Sequence, residues 1–503
     1  MTRRKFLYYA AGLSAVGATA LYARGMMGGV MGERGMEPSG MGAGMMGSNT
    51  LGAVNNFFNP LHIPPEIKGE LRGGVRHYDF DIQEGYREFI RGLNTPTYGI
   101  NGNYLGPTIR LKQGEEVSLN WQNNLGEATT MHGHGMHVPA IMDGGVHQII
   151  EPGTKWSARY KVNQKACTNW YHPHMMGKTA EHVLMGLGGM IFIDDDESLN
   201  HPLPKRYGVD DIPLVIQDRS FASDGSFIYN KNMMTVMHGY HGDTLLVNGT
   251  VAPYLEVEAN LLRLRLLNAS NARVYNFAVA GVKNRLIASD NSFLERAESV
   301  GSVVLSPAER VEVVVDLRRV FAKKLYLVDR ESGAKVLEIR VNKRAQVRSA
   351  IPSKLTTLET INLRKVAKKR RFVLETRGPG RLLINRKRMD PKRVDERIKV
   401  GEYEIWEVKN APMGMGMMKM GMTHNFHMHA GHFRVIARDG SKRKVLPWER
   451  GYKDTVRLGV GERVTLLVKH SGYIDSQNPY MYHCHILEHE DAGMMGQFTV
   501  EDA

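Results

Sequence analysis

One asparagine-centred pattern occurs three times along this chain, and that repeat limits the folds open to it. Ile100-Asn101-Gly102 is followed by Pro107, a strand-like stretch and Asn123. Val247-Asn248-Gly249 is followed by Pro253, a strand-like stretch and Asn268. Ile384-Asn385 is followed by Pro391, a strand-like stretch and Asn410. A recurring unit of this size matches one β-sandwich. Between the anchors the sequence runs in short alternating segments such as Val117-Ser118-Leu119-Asn120-Trp121 and Leu262-Arg263-Leu264-Arg265-Leu266, broken by Gly, Pro and Asn. Period-two alternation puts apolar side chains on one face of a strand. Few stretches keep a helical period, so the expected class is all-β, with sandwiches over 50–200, 201–350 and 351–503. The last boundary falls in the polar, strand-poor stretch around Arg348 to Lys369.

The N-terminal region has a different character. Arg3 and Arg4 precede Lys5-Phe6-Leu7 and an uncharged run rich in Ala, Gly and Ser. That run is short and weakly apolar for a membrane span and suits a twin-arginine export signal, placed at 1–25. The alternative is an uncleaved N-terminal anchor. Residues 26–49 are Met and Gly in low complexity, with too few side chains for a core, and are expected to be a flexible tail. Export implies a periplasmic protein with no stable membrane insertion after cleavage. The formal charge of +14 suggests anionic partners. However, Lys368-Lys369-Arg370-Arg371 and Arg386-Lys387-Arg388 belong to no nucleic-acid module, so they read as solvated surface with no nucleic-acid partner. A monomer is expected.

The chemistry is concentrated in histidine and methionine. The chain has 20 His, 29 Met and only 2 Cys. Four histidine motifs stand out: His132-Gly133-His134, His172-Pro173-His174, His424-Asn425-Phe426-His427-Met428-His429, and His483-Cys484-His485 with His489 and Met494 downstream. On a strand, positions i and i+2 share a face, so each HxH pair presents two imidazoles to one point. Four pairs supply eight imidazoles: His132, His134, His172, His174, His427, His429, His483 and His485. The remainder, His424, Cys484, His489 and Met494, is a complete blue-copper ligand set. Thiolate and thioether donors favour copper; zinc is the other metal that imidazole and thiolate serve, but it seldom takes thioethers. A disulfide between the two cysteines would consume the Cys484 thiolate, so Cys167 reads as a small buried apolar residue.

Over roughly residues 50–503 these motifs resemble the multicopper oxidase family. The resemblance implies three cupredoxin-like Greek-key domains in the laccase-like arrangement, with dioxygen reduced to water. It implies four copper ions. A type 1 copper would be held by His424, Cys484, His489 and Met494. A type 2 copper would be held by His132 and His427. A type 3 pair would be held by His134, His172, His174, His429, His483 and His485. Cys484 would then relay electrons between the centres. Asp143 and Glu490 match acidic positions that the family uses for protons near its trinuclear centre. The segment 186–193 and Glu488-His489-Glu490-Asp491 look most like periplasmic cuprous oxidases of copper tolerance. Gly133 departs from the family, which usually has Trp between the first two His; ligation should survive with looser local packing.

The electron donor is read from methionine. Met413, Met415, Met417, Met418, Met420 and Met422 are interleaved with Gly just ahead of His424. The Gly content argues against a stable helix, and soft thioethers suit Cu(I). Met422 matches a Met of the cuprous oxidases, while Met420 falls where they carry Asp. Met233, Met234, Met237, His238 and His241 form a second soft-donor group. The leading expectation is an oxidase of Cu(I). The enzyme alternatives are a broad phenol-oxidising laccase or an oxidase of Fe(II) or Mn(II). A copper-sequestering protein without turnover is the non-enzyme alternative.

Overall fold

The computed structural model describes residues 50–502, apart from 343–348, 361, 379, 414–420 and 471. The expected signal segment and Met-rich tail lie outside them. The sheets come in three pairs that follow chain order. The first pair is built between Glu66–Ile67 and Gly189–Asp194, the second between Asp211–Arg219 and Lys335–Val341, and the third between Val366–Thr376 and Met495–Glu501. Each pair closes over its own core. Phe80 stacks on Trp121 at 4.0 Å in the first. Leu264, Val313 and Leu327 pack in the second, and Trp406, Phe426 and Tyr482 in the third. The short strand Asn59–Pro60 departs from this order. It pairs in parallel with Pro253–Val257 of the second sandwich, because Leu51 and Leu61 beside it are buried in that core.

The threefold pattern has a common structural basis. Asn101, Asn248 and Asn385 all adopt left-handed backbone, with φ of 52°, 50° and 51°. Asn is one of the few non-glycine residues that tolerates this conformation. Each side-chain oxygen accepts from a strand N–H, of Asp81, Val215 and Val373 respectively. Each amide nitrogen donates to the carbonyl two residues earlier, of Asp79, Pro213 and Arg371. The following anchors close the strands Glu116–Asn123, Leu261–Asn268 and Tyr403–Asn410. Their side chains tie down two backbone carbonyls apiece: Glu127 and Ile150, Arg273 and Leu305, Met422 and Leu458.

One strand is covered on both faces, and one sequence expectation is modified. Leu261–Asn268 alternates as expected, but both faces are buried. Arg263 and Arg265 face an ionic layer with Asp211 and Glu312, and Arg265 also donates to Thr168 of the first sandwich at 2.8 Å. The charged face is therefore an inter-sandwich contact. In the basic run, Lys368, Lys369 and Arg371 are exposed as expected, whereas Arg370 is buried against Glu404 and Glu396. Alternation places Arg370 on the inner face, where two carboxylates compensate its desolvation. Among the described residues no helix is long and apolar enough to cross a membrane.

Candidate metal centres

Strand register brings the histidine motifs together. The strand His132–His134 pairs with Cys167–His172 so that His132 lies opposite His172. The strand His424–Met428 pairs with Asp475–His483 so that His427 lies opposite His483. The first and third sandwiches thus each contribute four imidazoles to one buried cluster, all at most 1% exposed. The His132 and His429 rings stack at 4.0 Å between centroids, and those of His134 and His427 at 3.8 Å. His483 Nε2 lies 3.2 Å from His174 Nε2 and 3.1 Å from His429 Nε2, while His485 Nε2 lies 3.3 Å from His172 Nε2.

Hydrogen bonding sets which ring nitrogens face each other. The Nδ1 atoms of His132, His172, His427 and His483 lie 2.7, 2.7, 2.9 and 3.0 Å from the carbonyls of Asp143, Pro173, Asp454 and Cys484. A carbonyl only accepts, so each ring carries its hydrogen on Nδ1 and has a bare Nε2. The Nε2 atoms of His132 and His427 are buried with no hydrogen-bond partner among the described residues. Burial first, and then neighbouring imidazoles, push His132 down to about 3 and His134, His172, His174, His429, His483 and His485 well below the ordinary imidazole value. Neutral rings with lone pairs aimed at one another are costly alone and suit metal cations.

A second group lies in the third sandwich, joined to the first through residues 483–485. Cys484 Sγ is 3.5 Å from His424 Nδ1 and 3.6 Å from His489 Nδ1, and the two nitrogens are 3.2 Å apart. His424 Nε2 contacts Thr376 Oγ1, and His489 Nε2 donates to the Met237 carbonyl, so both rings turn Nδ1 toward the thiol. Met494 is fully buried in the same apolar cluster as Cys484, and its backbone bonds to both Cys484 and His489. Cys167 is buried without a hydrogen-bond partner of this kind, in strand Cys167–His172.

The two acidic residues singled out in the sequence are buried at the histidine cluster. Asp143 caps the turn Ala140–Met142, and its Oδ2 lies 2.7 Å from His429 Nδ1. Glu490, on the helix Leu487–Asp491, lies 3.4 Å from His174 Nδ1 and 3.3 Å from His483 Nδ1. Burial pushes both carboxyls well above the ordinary carboxylate range, with Asp491 adding to the rise at Glu490. The Asp491 carboxylate accepts from the N–H groups of Thr179 and Ala180 at 3.0 and 3.2 Å, fixing this helix against Thr179–Met185.

Sequence reasoning missed Asp454 and Arg310. Asp454 Oδ1 lies 3.0 Å from His134 Nε2, and its carboxylate takes two 2.7 Å bonds from Arg310. Burial pushes Asp454 up, but the Arg310 guanidinium and the His134 ring outweigh it and hold the carboxyl well below its ordinary value. No motif surrounds either residue, so only the fold reveals them. At Gly133 the looser packing expected is absent. Met136 is buried over it, and a Cβ there would meet Met136 Cγ at 3.0 Å.

Of the methionine loop, Met413 and Met422 are described and half-buried. A Cβ on Gly421 would lie 3.6 Å from Met413 N, so the loop closes at its base, and Asn410 donates to the Met422 carbonyl at 2.8 Å. Met415, Met417, Met418 and Met420 lie outside the described residues. Met233, Met234, Met237 and His238 share the helix Met233–His238, and His241 turns Nε2 toward the His238 carbonyl at 3.3 Å.

Family models described as multicopper oxidase match residues 81–198 and 351–503. "Multicopper oxidase mco" of Staphylococcus haemolyticus is 38% identical over 444 residues, covering 87% of this chain and 91% of the relative. A crystal structure of a laccase from Pediococcus acidilactici superposes with a TM-score of 0.82 at 32% identity, covering 90% of this chain and 95% of that one. "Cell division protein FtsP" of Proteus mirabilis is 34% identical over 458 residues, covering 88% and 92%.

Proposed function

The chain belongs to the multicopper oxidase family of copper-dependent oxidoreductases, and we propose that it oxidises Cu(I) to Cu(II) with dioxygen as the electron acceptor, reduced to water, in copper tolerance. In this reading His424, Cys484, His489 and Met494 hold a type 1 copper. His132 and His427 hold a type 2 copper. His134, His172, His174, His429, His483 and His485 hold a type 3 pair, giving four ions. The observation that carries this assignment is the convergence of buried, bare ring nitrogens on one cluster and of a thiol and two Nδ1 atoms on another. When bound, copper supplies the one-electron acceptance and dioxygen chemistry that side chains lack.

The protein's own residues do the remaining work. Cys484 belongs to one centre while its chain neighbours His483 and His485 belong to the other, so a covalent path of two residues joins them. Asp143 and Glu490, whose carboxyls burial pushes well above the ordinary range, are placed to give protons to oxygen reduced beside the imidazoles. Glu490→Gln keeps the shape and removes the acid. It is expected to slow steady-state oxygen uptake about a hundredfold or more, while anaerobic bleaching of the blue absorption by donor stays fast. Unchanged uptake would remove Glu490 from the proton path.

The cuprous substrate rests on this chain's own residues, because the relatives carry oxidase, laccase and cell-division names. Asn410 holds the Met422 carbonyl, two residues before His424, and the sequence 413–422 leading to it carries soft donors suited to Cu(I). Deleting residues 413–422 is expected to lower Cu(I) oxidation while oxidation of a bulky phenol holds or rises as the site opens. If both rates are untouched, the loop is not the substrate site and a laccase or an Fe(II) or Mn(II) oxidase is the better reading. Oxygen uptake with Cu(I) as donor separates all of these from a sequestering protein. Export to the periplasm by the twin-arginine route belongs to the same proposal and is supported by Arg3, Arg4 and the uncharged run after them. Cell fractionation tests it.

A further inference from the structure

Resting on the cuprous reading above, we propose that the helix Met233–His238 of the middle sandwich is a separate soft-metal docking site that receives Cu(I) at the outer edge of His489. Methionines at helical spacing usually fill a core, but none of this helix is buried, and Met233 and Met234 are 58% and 45% exposed. Residues three and four apart are neighbours on a helix, so Met233 and Met237, Met234 and Met237, and Met234 and His238 each share a face. The helix therefore gathers three thioethers and an imidazole, donors suited to Cu(I). His238 Nε2 is buried and has no hydrogen-bond partner among the described residues.

The helix is fixed against the type 1 residues. Asn232 caps its start, accepting from Met234 N and Thr235 N at 2.9 and 3.0 Å. Its end packs onto residues 486–488. Gly239 has φ of 76°, and a Cβ there would lie 2.1 Å from Ala272 Cβ and 3.0 Å from Ile486 Cγ2. The next residue, Tyr240, donates its N–H to Glu488 Oε2 at 3.0 Å. The Met237 carbonyl then accepts from His489 Nε2 at 3.0 Å. A Cu(I) bound to the Met237 thioether is joined to His489 by one residue's covalent bonds and one hydrogen bond. The docked ion loses one electron and departs as Cu(II); the electron goes to dioxygen through the oxidase activity.

The test uses the copper-loaded enzyme and Ag(I), a redox-inert stand-in for Cu(I). Crystals soaked in Ag(I) are expected to show anomalous silver density at thioether bonding distance from Met233, Met234 or Met237. In parallel, the triple variant M233L/M234L/M237L replaces thioethers with side chains of similar volume. It is expected to raise KM for Cu(I) about tenfold or more, with a smaller effect on kcat/KM for a phenol. Silver found only elsewhere, or an unchanged KM for Cu(I), overturns the docking site. The silver density is read on the unaltered protein, so it does not depend on the variant folding. If the unaltered enzyme turns over phenol but not Cu(I), the cuprous reading itself fails. If it oxidises Cu(I) yet shows neither effect, the helix proposal alone fails.

Discussion

Replacing Cys484 with Ser is expected to abolish the blue absorption near about 600 nm expected of a thiolate-bound copper and to cut oxygen uptake with every electron donor by more than about 100-fold. The comparison sets the scale: losing a group that only supports a metal ligand costs about 10- to 100-fold, and here the ligand itself is lost. The substitution is nearly isosteric, and the surroundings hold it in place. Asn425 Oδ1 accepts from His485 N at 2.6 Å, and its amide is anchored by Ser306 and the Pro307 carbonyl. The eight clustered histidines therefore keep their positions, and copper content is expected to fall by about one ion rather than four. Burial pushes the free Cys484 thiol up to about 12, so at neutral pH the thiolate exists only with a cation bound, and loading releases a proton. Cys167→Ser is the control, expected to leave the colour intact because that thiol lies in a different strand from every candidate ligand except His172. Blue absorption and turnover that survive in Cys484→Ser would remove Cys484 from the metal site.

The second large effect is on stability. Arg310 is fully buried and sits where all three sandwiches meet. It belongs to the second and bonds the Thr168 carbonyl at 2.9 Å and Asn169 Oδ1 at 2.8 Å in the first. Its two 2.7 Å bonds to Asp454 reach the third. Arg310→Met fills similar space but leaves the Asp454 carboxylate buried without the guanidinium that compensates its charge. Breaking a buried pair from one side costs about 3–5 kcal/mol. Denaturant titration is expected to show a loss of that size, and copper at the proposed histidine cluster is expected to yield more readily to a chelator, since Asp454 touches His134 and its carbonyl orients His427. Arg310→Met/Asp454→Leu, which removes both charges, is expected to recover part of the stability. Equal stability in Arg310→Met and the unaltered protein would mean that the guanidinium contributes nothing net.

The fold was legible because its information is local. Strand alternation is visible in any short window, and Asn101, Asn248 and Asn385 recur because each turn needs left-handed backbone with a side chain able to cap a neighbouring strand. The histidine motifs were legible as compact pairs, but only His132–His134 lies wholly on a strand; His174, His429 and His485 lie just past the ends of theirs. Arg310 and Asp454 were not legible, because their importance comes from meeting across 144 positions of chain. What covers the Arg263 and Arg265 face was likewise not legible. Alternation correctly separated the two faces, but what covers the charged one is set by Asp211, Glu312 and Thr168 from distant segments. The helix Met233–His238 was visible as a composition, but its contact with His489 was not.

The division of the eight clustered imidazoles between residues 132–174 and 427–485 also bears on biosynthesis. A growing polypeptide has only its first two HxH pairs until most of it has been made, and these belong to a half-built cluster with no opposing sandwich. The completing pair follows late, with His485 made 313 residues after His172. Metal captured during synthesis would be held by incomplete sets open to exchange, so correct loading belongs to the finished, folded chain. If the protein is exported folded, a cell can delay copper insertion until the polypeptide has reached its destination.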